Sequence, residues 1–126
     1  MWEVAVGADA GALEEAKRYV QSVATGKLPF LLTSCCPSWS MLGKKYFPEV
    51  IDEISNALTP MVATARAARI TSPNAKLFCR AMCCQKLEAS RRTVRSEVDF
   101  VITFEELAGM FDAKEIDFNT YEKKKS

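Results

Sequence analysis

The sequence predicts an α/β fold with a mainly parallel sheet and flanking helices. Short apolar runs of strand length alternate with segments of helical periodicity, and proline or threonine stands where several helices would begin. This alternation is typical of parallel sheets, whose ligands bind in loops at the carboxyl ends of the strands. Two pairs of adjacent cysteines, Cys35-Cys36 and Cys83-Cys84, fall in or near such loops and mark the predicted functional region.

Composition limits the classes of function that the chain can have. Its 126 residues carry a formal net charge of +1, which gives no reason to expect a nucleic-acid partner or an anionic membrane surface. No apolar run approaches the roughly 18 residues of a membrane span, and no secretory leader is recognisable, so a cytoplasmic protein is expected. The five cysteines favour metal binding or thiol chemistry over disulfides. The sequence has no histidine, which excludes Cys–His and Ser–His catalytic pairs.

The first third of the chain predicts one strand and one long helix. Residues 2–6 alternate weakly as a strand would, and Asp9 could cap a helix over about residues 10–24. Gly26 is expected to stop that helix. The face expected to be buried carries an apolar stripe at helical spacing, formed by Leu13, Ala16, Val20 and Val23.

The segments around the first cysteine pair predict a strand followed by two helices. Residues 30–33 predict a short buried strand, and residues 38–46 predict a helix on the far side of the cysteines. That helix should end before Pro48, because the residue before a proline is disfavoured in the helical region. Thr59-Pro60 is a strong start signal for a helix over residues 60–70.

The C-terminal half predicts two more strands and a capped helix. Residues 75–79 predict a strand that leads into the second cysteine pair, and residues 98–102 predict another buried strand. Thr103 and Glu106 have the spacing of a capping box, in which each side chain satisfies an exposed backbone N–H at a helix start.

The position of Cys35-Cys36 favours chemistry at a thiol. Both residues lie between a predicted strand and Pro37, which can open a helix. The positive end of a helix dipole favours the thiolate form, which binds metals. Iron–sulfur clusters need thiolate ligands, usually four. Two buried structural thiols remain the alternative interpretation from these residues alone.

The segment from Thr33 to Trp39 resembles the first cluster-binding motif of iron-only (FeFe) hydrogenases, Thr-Ser-Cys-Cys-Pro-x-Trp. Residues 98–107 are similar to the Val-Asp-x-Val-Leu-Thr-x-x-Glu-Leu segment that follows the family's second motif. The resemblance covers about residues 4–117. Within the family, the motif sequences are most similar to those of the sensory or uncharacterised branches. It implies that residues 1–118 form part of a two-lobed hydrogenase catalytic domain, with residues 119–126 as a polar tail.

The resemblance also implies a cofactor and a reaction. The family's active site, the H-cluster, joins a 4Fe–4S cube to a two-iron subsite and catalyses the reversible reduction of protons to dihydrogen. Carried over to this sequence, Cys35 would relay protons and Cys36 would bind the cube. The implied partners are a ferredoxin-type electron donor domain and the missing C-terminal part of the catalytic domain.

The second motif departs from the family pattern, which is Pro-Cys-x-x-Lys with a Glu three residues later. Aligned through Glu88, the cysteine and lysine positions hold Met82 and Gln85, whereas a shift by one residue restores Cys83 and Lys86. The resemblance then implies Cys83 as a cube and metal ligand, Lys86 as a cofactor-binding residue and Glu88 as a catalytic residue. A pair of compensating frame shifts, in the gene or in its sequencing, would also explain the departure.

The family's third motif, which carries two further cysteines, has no match in this chain. We therefore expect a partial hydrogenase domain that is inactive when isolated. The alternative is a non-catalytic iron–sulfur or redox-sensing module that reuses the fold. A third interpretation is a thiol-only or zinc-binding domain, whose ligands would be Cys79, Cys83 and Cys84.

Overall fold

A computed structural model of the chain describes residues 1–80, 84–90, 96–117 and 120, which contain five helices and one parallel pair of strands. These residues confirm the α/β class, with a small parallel sheet and flanking helices. In chain order the helices are α1 (Val4–Ser22), α2 (Pro37–Tyr46), α3 (Pro60–Thr71), α4 (Cys84–Ser90) and α5 (Phe104–Asp112). The strands are β1 (Phe78–Arg80) and β2 (Phe100–Ile102), and a short 3-10 helix covers Pro48–Val50.

Helix α1 starts earlier than the sequence predicts. It begins at Val4, so the expected strand over residues 2–6 is wrong, and Asp9 lies inside the helix rather than at its cap. The first two turns are rich in alanine, the best helix former, and this preference outweighs the weak alternation. Gly26 has a φ of 74°, a left-handed conformation that suits glycine, and the chain leaves the helix there as predicted.

The buried face of α1 is also not the predicted one. Leu13 and Val20 are 60% and 61% exposed, so the expected apolar stripe faces away from the core. A Cβ atom at Gly7 would overlap Oγ1 of Thr64 and the carbonyl oxygen of Pro60, which shows how closely α1 approaches α3. Because the two helices lie so close together, α1 packs its small and polar face against α3. This face carries Gly7, Gly11, Glu15, Arg18 and Ser22.

The predicted strand over residues 30–33 is reduced to a single parallel bridge between Leu32 and Ile54. The N–H of Leu32 donates to the carbonyl oxygen of Glu53 at 2.8 Å, and the N–H of Ser55 donates to that of Leu32 at 2.7 Å. Phe30 is 44% exposed, so the expected burial of this segment is wrong. The segment nevertheless places the first cysteine loop next to residues 53–57.

Helix α3 provides most of the core. It starts as predicted, with the Thr59 side chain accepting from the N–H of Val62 at 3.5 Å. Among the described residues, four of the five buried hydrophobic side chains lie on it, and the five are Ile54, Met61, Val62, Ala65 and Ala68. No helix in the described ranges is long and apolar enough to cross a membrane.

The two strands are shorter than predicted and pair in parallel, with Cys79 opposite Val101. Before they begin, the Asp99 carboxylate accepts the N–H of Leu77 at 2.7 Å, so a side chain replaces the ladder hydrogen bond there. The predicted capping box of α5 is present, with both Thr103 and Glu106 bonded as expected.

Candidate functional site

The first cysteine loop ends at the start of α2. Cys36 occupies the N-cap position with an extended backbone, and Pro37 is the first helical residue, as the sequence predicts. The carbonyl oxygen of Cys36 accepts from the N–H of Ser40 at 3.1 Å, which begins the helical hydrogen bonding. Neither Cys35 nor Cys36 is in a disulfide; Cys35 is exposed and Cys36 is half-buried. Both thiols are therefore open to chemistry at a helix N-terminus.

Ser34 anchors this loop from two sides. It is 7% exposed, its N–H donates to Oε1 of Glu15 at 3.1 Å, and its hydroxyl donates to the carbonyl oxygen of Ala57 at 2.9 Å. The first contact binds the loop to α1, and the second binds it to the segment that precedes α3. The backbone next to Cys35 is therefore held by two partly buried hydrogen bonds.

A cavity of about 220 Å³ lies beside Cys35. Glu15 also lines it, together with apolar residues that include Leu58 and Pro60. A carboxylate and a thiol in one cavity can exchange a proton directly or through water. The apolar stripe that the sequence predicts on α1 would leave Glu15 facing solvent. The signal that would have found it is the spacing of Gly7, Gly11 and Glu15, four residues apart along one helix face.

Glu88 reaches the same region from α4. It is 7% exposed, and Oε2 of its carboxylate accepts the hydroxyl of Thr59 at 2.8 Å. It lines a second cavity, of about 280 Å³, with Ser34 and Arg66 among its neighbours. Cys35 lines the first cavity and Glu88 the second, and the two cavities share Ala57 and Leu58 as lining residues.

Lys86 lies on another side of α4. Its ammonium is 2.5 Å from Oε1 of Glu106, the capping-box residue of α5, and both side chains are partly exposed. The Lys86 hydrogen bond and the N–H of Thr103 lower the pKa of the Glu106 carboxyl. Cys83, the other cofactor-binding residue predicted from the second motif, lies outside the described residues. The structure leaves the predicted roles of both residues untested.

Gln85 stands where alignment through Glu88 puts the family's lysine. Its Oε1 atom is buried and has no hydrogen-bond partner among the described residues. A buried amide oxygen without a donor is costly in free energy, so this position would favour a donor group beside it.

Cys79 belongs to a different environment. It lines an apolar cavity of about 310 Å³ with Trp2, Met61 and Leu77, and burial raises the pKa of its thiol. A raised pKa disfavours the thiolate form that binds metals. The zinc site considered from Cys79, Cys83 and Cys84 lies partly outside the described residues.

The side chains available as ligands determine whether this chain can hold an iron–sulfur cluster. Cys36 offers an accessible sulfur at a helix N-terminus, which suits an anionic cluster. Within residues 1–80, 84–90, 96–117 and 120, no group of three His, Cys, Asp or Glu side chains could hold a metal ion. A cube usually needs four thiolates, so the described residues by themselves do not fit a complete cluster.

The sequence is related to iron-only hydrogenases along its whole length. Residues 1–126 match the family described as "Iron only hydrogenase large subunit, C-terminal domain". The chain is 30% identical over 132 residues to Iron hydrogenase 1 of Clostridium pasteurianum, covering 94% of this chain and 23% of that protein. It is 34% identical over 92 residues to the cytosolic Fe-S cluster assembly factor NAR1 of Kluyveromyces lactis, covering 72% of this chain and 20% of that protein.

The fold is similar to that of the apo FeFe-hydrogenase HydA1 from Chlamydomonas reinhardtii, in a variant with one cysteine replaced by histidine. The TM-score is 0.77 at 23% identity, covering 97% of this chain and 35% of that one. This likeness confirms that the described residues adopt part of the fold of a hydrogenase catalytic domain. The chain spans 23% and 20% of the length of these two curated relatives and 35% of the solved hydrogenase.

Proposed function

Because this chain belongs to the family of iron-only hydrogenase large subunits, C-terminal domain, we propose that it forms the part of a hydrogenase-type catalytic domain that carries the first cluster motif. In this proposal Cys36 supplies one thiolate to a 4Fe–4S cluster, and Cys35 exchanges protons beside it. The observation that carries the proposal is the placement of both accessible thiols at the N-terminus of α2, on a loop anchored by Ser34. The cluster with its two-iron subsite would supply the chemistry of reversible proton reduction to dihydrogen.

Glu15 extends the proposal to proton movement. Its carboxylate shares a cavity with Cys35 and is held in place by the N–H of Ser34 at 3.1 Å. A thiol that has given up a proton needs a nearby donor to recover one, and a positioned carboxylic acid can serve. We assign Glu15 this role, with protons passing between its carboxyl group and the Cys35 sulfur.

The remaining cluster ligands come, in this proposal, from outside the described residues. Cys83 is one candidate, with Lys86 as a further cofactor-binding residue. The other ligands would come from a C-terminal part of the domain, and electrons from a ferredoxin-type donor domain. The family's reaction is thus a property of the assembled domain rather than of the 126 residues alone.

Anaerobic reconstitution of the chain with iron, sulfide and a small thiol that can complete the ligand set tests this proposal. Cys36→Ser should abolish the iron–sulfur absorbance and EPR signals, because it removes the accessible thiolate. Cys79→Ser is the matched control and should leave them unchanged, since Cys79 lies in a separate apolar cavity. A cluster signal that survives Cys36→Ser, or no signal in the unmodified chain, would contradict the proposal.

A second candidate function is a non-catalytic iron–sulfur module. The relationship to the cytosolic Fe-S cluster assembly factor NAR1, at 34% identity over 92 residues, favours it. Hydrogen evolution separates the two candidates when the chain is reconstituted together with a complementary C-terminal hydrogenase segment and the two-iron unit. Evolution that depends on Cys35 supports the catalytic proposal, whereas a Cys36-dependent cluster without hydrogen supports the second candidate. The chain reconstituted alone is expected to evolve no hydrogen.

A further inference from the structure

A buried hydrogen bond between Thr59 and Glu88 joins two segments that are 29 residues apart. The two residues are 5% and 7% exposed, and the Thr59 hydroxyl donates to the carboxylate at 2.8 Å. Hydrogen bonds to charged groups are the stronger class, and leaving a buried partner unpaired is costly. The contact therefore fixes α4 to the start of α3.

Further hydrogen bonds connect this contact to the first cysteine loop. Two residues before Thr59, the carbonyl oxygen of Ala57 accepts the hydroxyl of Ser34 at 2.9 Å, and its N–H donates to the hydroxyl of Ser55 at 3.1 Å. Ser34 directly precedes Cys35. A movement of α4 that carried Glu88 away from Thr59 would thus be transmitted to the backbone that supports the thiols.

The carboxylate of Glu88 faces this support rather than the thiol. Glu88 lines the cavity that contains Ser34 and Thr59, whereas Cys35 and Glu15 line the other one. A group that transferred protons to Cys35 would be expected in the cavity that Cys35 lines. Glu88 is therefore placed to act on the cysteine loop indirectly, through Thr59 and the hydrogen bonds of Ser34.

We propose that Glu88 is a positioning residue, which holds α4 in a fixed relation to Cys35 and Cys36 through Thr59. The significance of that relation rests on the proposed function, since it is the two cysteines that would need to be held. The contact itself can be tested without iron, so its failure is distinguishable from failure of the cluster proposal.

Conservative and non-conservative variants separate positioning from proton transfer. Glu88→Gln keeps an oxygen that accepts the Thr59 hydroxyl but cannot act as a carboxylic acid, whereas Glu88→Ala removes the acceptor. Thr59→Ser keeps the hydroxyl, and Thr59→Val removes it. Positioning predicts that Glu88→Gln and Thr59→Ser resemble the unmodified chain and that the other two variants share one defect.

Amide hydrogen exchange and thiol alkylation in the iron-free chain measure that defect. Glu88→Ala and Thr59→Val should speed exchange in residues 33–39 and 84–90 by about tenfold, the order expected for losing one such hydrogen bond. Alkylation of Cys36, which is half-buried, should quicken in parallel. The defect of the double variant should be smaller than the sum of the two single defects, because both substitutions remove the same contact.

Thr59 also caps α3, so loss of a helix cap needs its own control. Thr103 caps α5 in the same way but has no part in the Glu88 contact, and Thr103→Val should speed exchange only near residues 104–107. If Glu88→Ala or Thr59→Val unfolds the whole chain, near-normal exchange in Glu88→Gln and Thr59→Ser still supports the proposal. Equal damage from Glu88→Gln and Glu88→Ala, or unchanged exchange in residues 33–39, would overturn it.

Discussion

The guanidinium of Arg69, at the C-terminal end of α3, lies 3.0 Å from Oδ2 of Asp99, at the entrance to β2. The same carboxylate oxygen accepts the N–H of Leu77, just before β1. Arg69 also donates to the carbonyl oxygens of Ala75 and Glu97, at 2.5 and 2.9 Å. One arginine and one aspartate therefore join the end of the central helix to both strands of the sheet.

This relationship predicts acid sensitivity at the sheet. The N–H of Leu77, followed by the guanidinium of Arg69, lowers the pKa of Asp99 to about 2. A carboxyl whose folded-state pKa lies below its ordinary value of about 3.9 stabilises the fold above that value. This contribution is lost as the pH falls from about 4 towards 2.

Urea unfolding at a series of pH values checks this prediction. Asp99→Asn should reduce the pH dependence of unfolding between about pH 4 and pH 2 and leave that dependence little changed above pH 5, since the asparagine amide does not titrate there as the carboxylate does. Asp112→Asn, on the exposed end of α5, serves as the control for removing a carboxylate elsewhere. An acid limb that persists unchanged in Asp99→Asn would contradict the assignment.

Gly7→Ala should destabilise the chain by about 1–3 kcal/mol, because overpacking forces backbone shifts. Its new methyl group would overlap Thr64 and the carbonyl oxygen of Pro60, where α1 crosses α3. Gly109→Ala in α5 is the matched control, since a Cβ there meets no atom within 4 Å. The control should stabilise the chain by about 0.5–1 kcal/mol, because alanine is the better helix former. Urea midpoints in the reverse order would refute the close crossing.

Substitutions on α1 and α3 should show which helix faces the core. Leu13→Gln and Val20→Gln should change the free energy of unfolding by less than about 0.5 kcal/mol, as surface substitutions usually do. Met61→Ala should cost about 2–5 kcal/mol, because Met61 is 3% exposed and its removal leaves a cavity. A large cost at Leu13 or Val20, measured by urea unfolding, would restore the stripe that the sequence predicts.

The ion pair between Lys86 and Glu106 predicts a titration shift. The Lys86 hydrogen bond is the first cause of the lowered pKa of Glu106, so Lys86→Met should move that pKa back towards its ordinary value. Carbon-detected NMR titration of the Glu106 carboxyl measures the change, with Lys114→Met as the control. An unchanged titration in Lys86→Met would show that the N–H of Thr103 alone sets the pKa. The pair should also weaken with added salt, since both side chains are partly exposed.

Local signals in the sequence determined several starting points correctly. The caps at Thr59 and Thr103, the proline that opens α2 and the stop at Gly26 depend on residues within one turn of each other. Short-range chemistry of this kind is readable from sequence. The first cysteine motif is also a short-range signal. It indicated the family resemblance, which the match over residues 1–126 confirms.

Tertiary packing decided what those local signals could not. Which face of α1 is buried depends on how closely it crosses α3 at Gly7, so the apolar pattern pointed to the wrong side. The partners of Ser34, namely Glu15 and Ala57, come from segments 19 residues before it and 23 residues after it. The Glu88 contact with Thr59 has the same origin. Contacts between distant segments depend on the relative placement of whole helices, which no local pattern encodes.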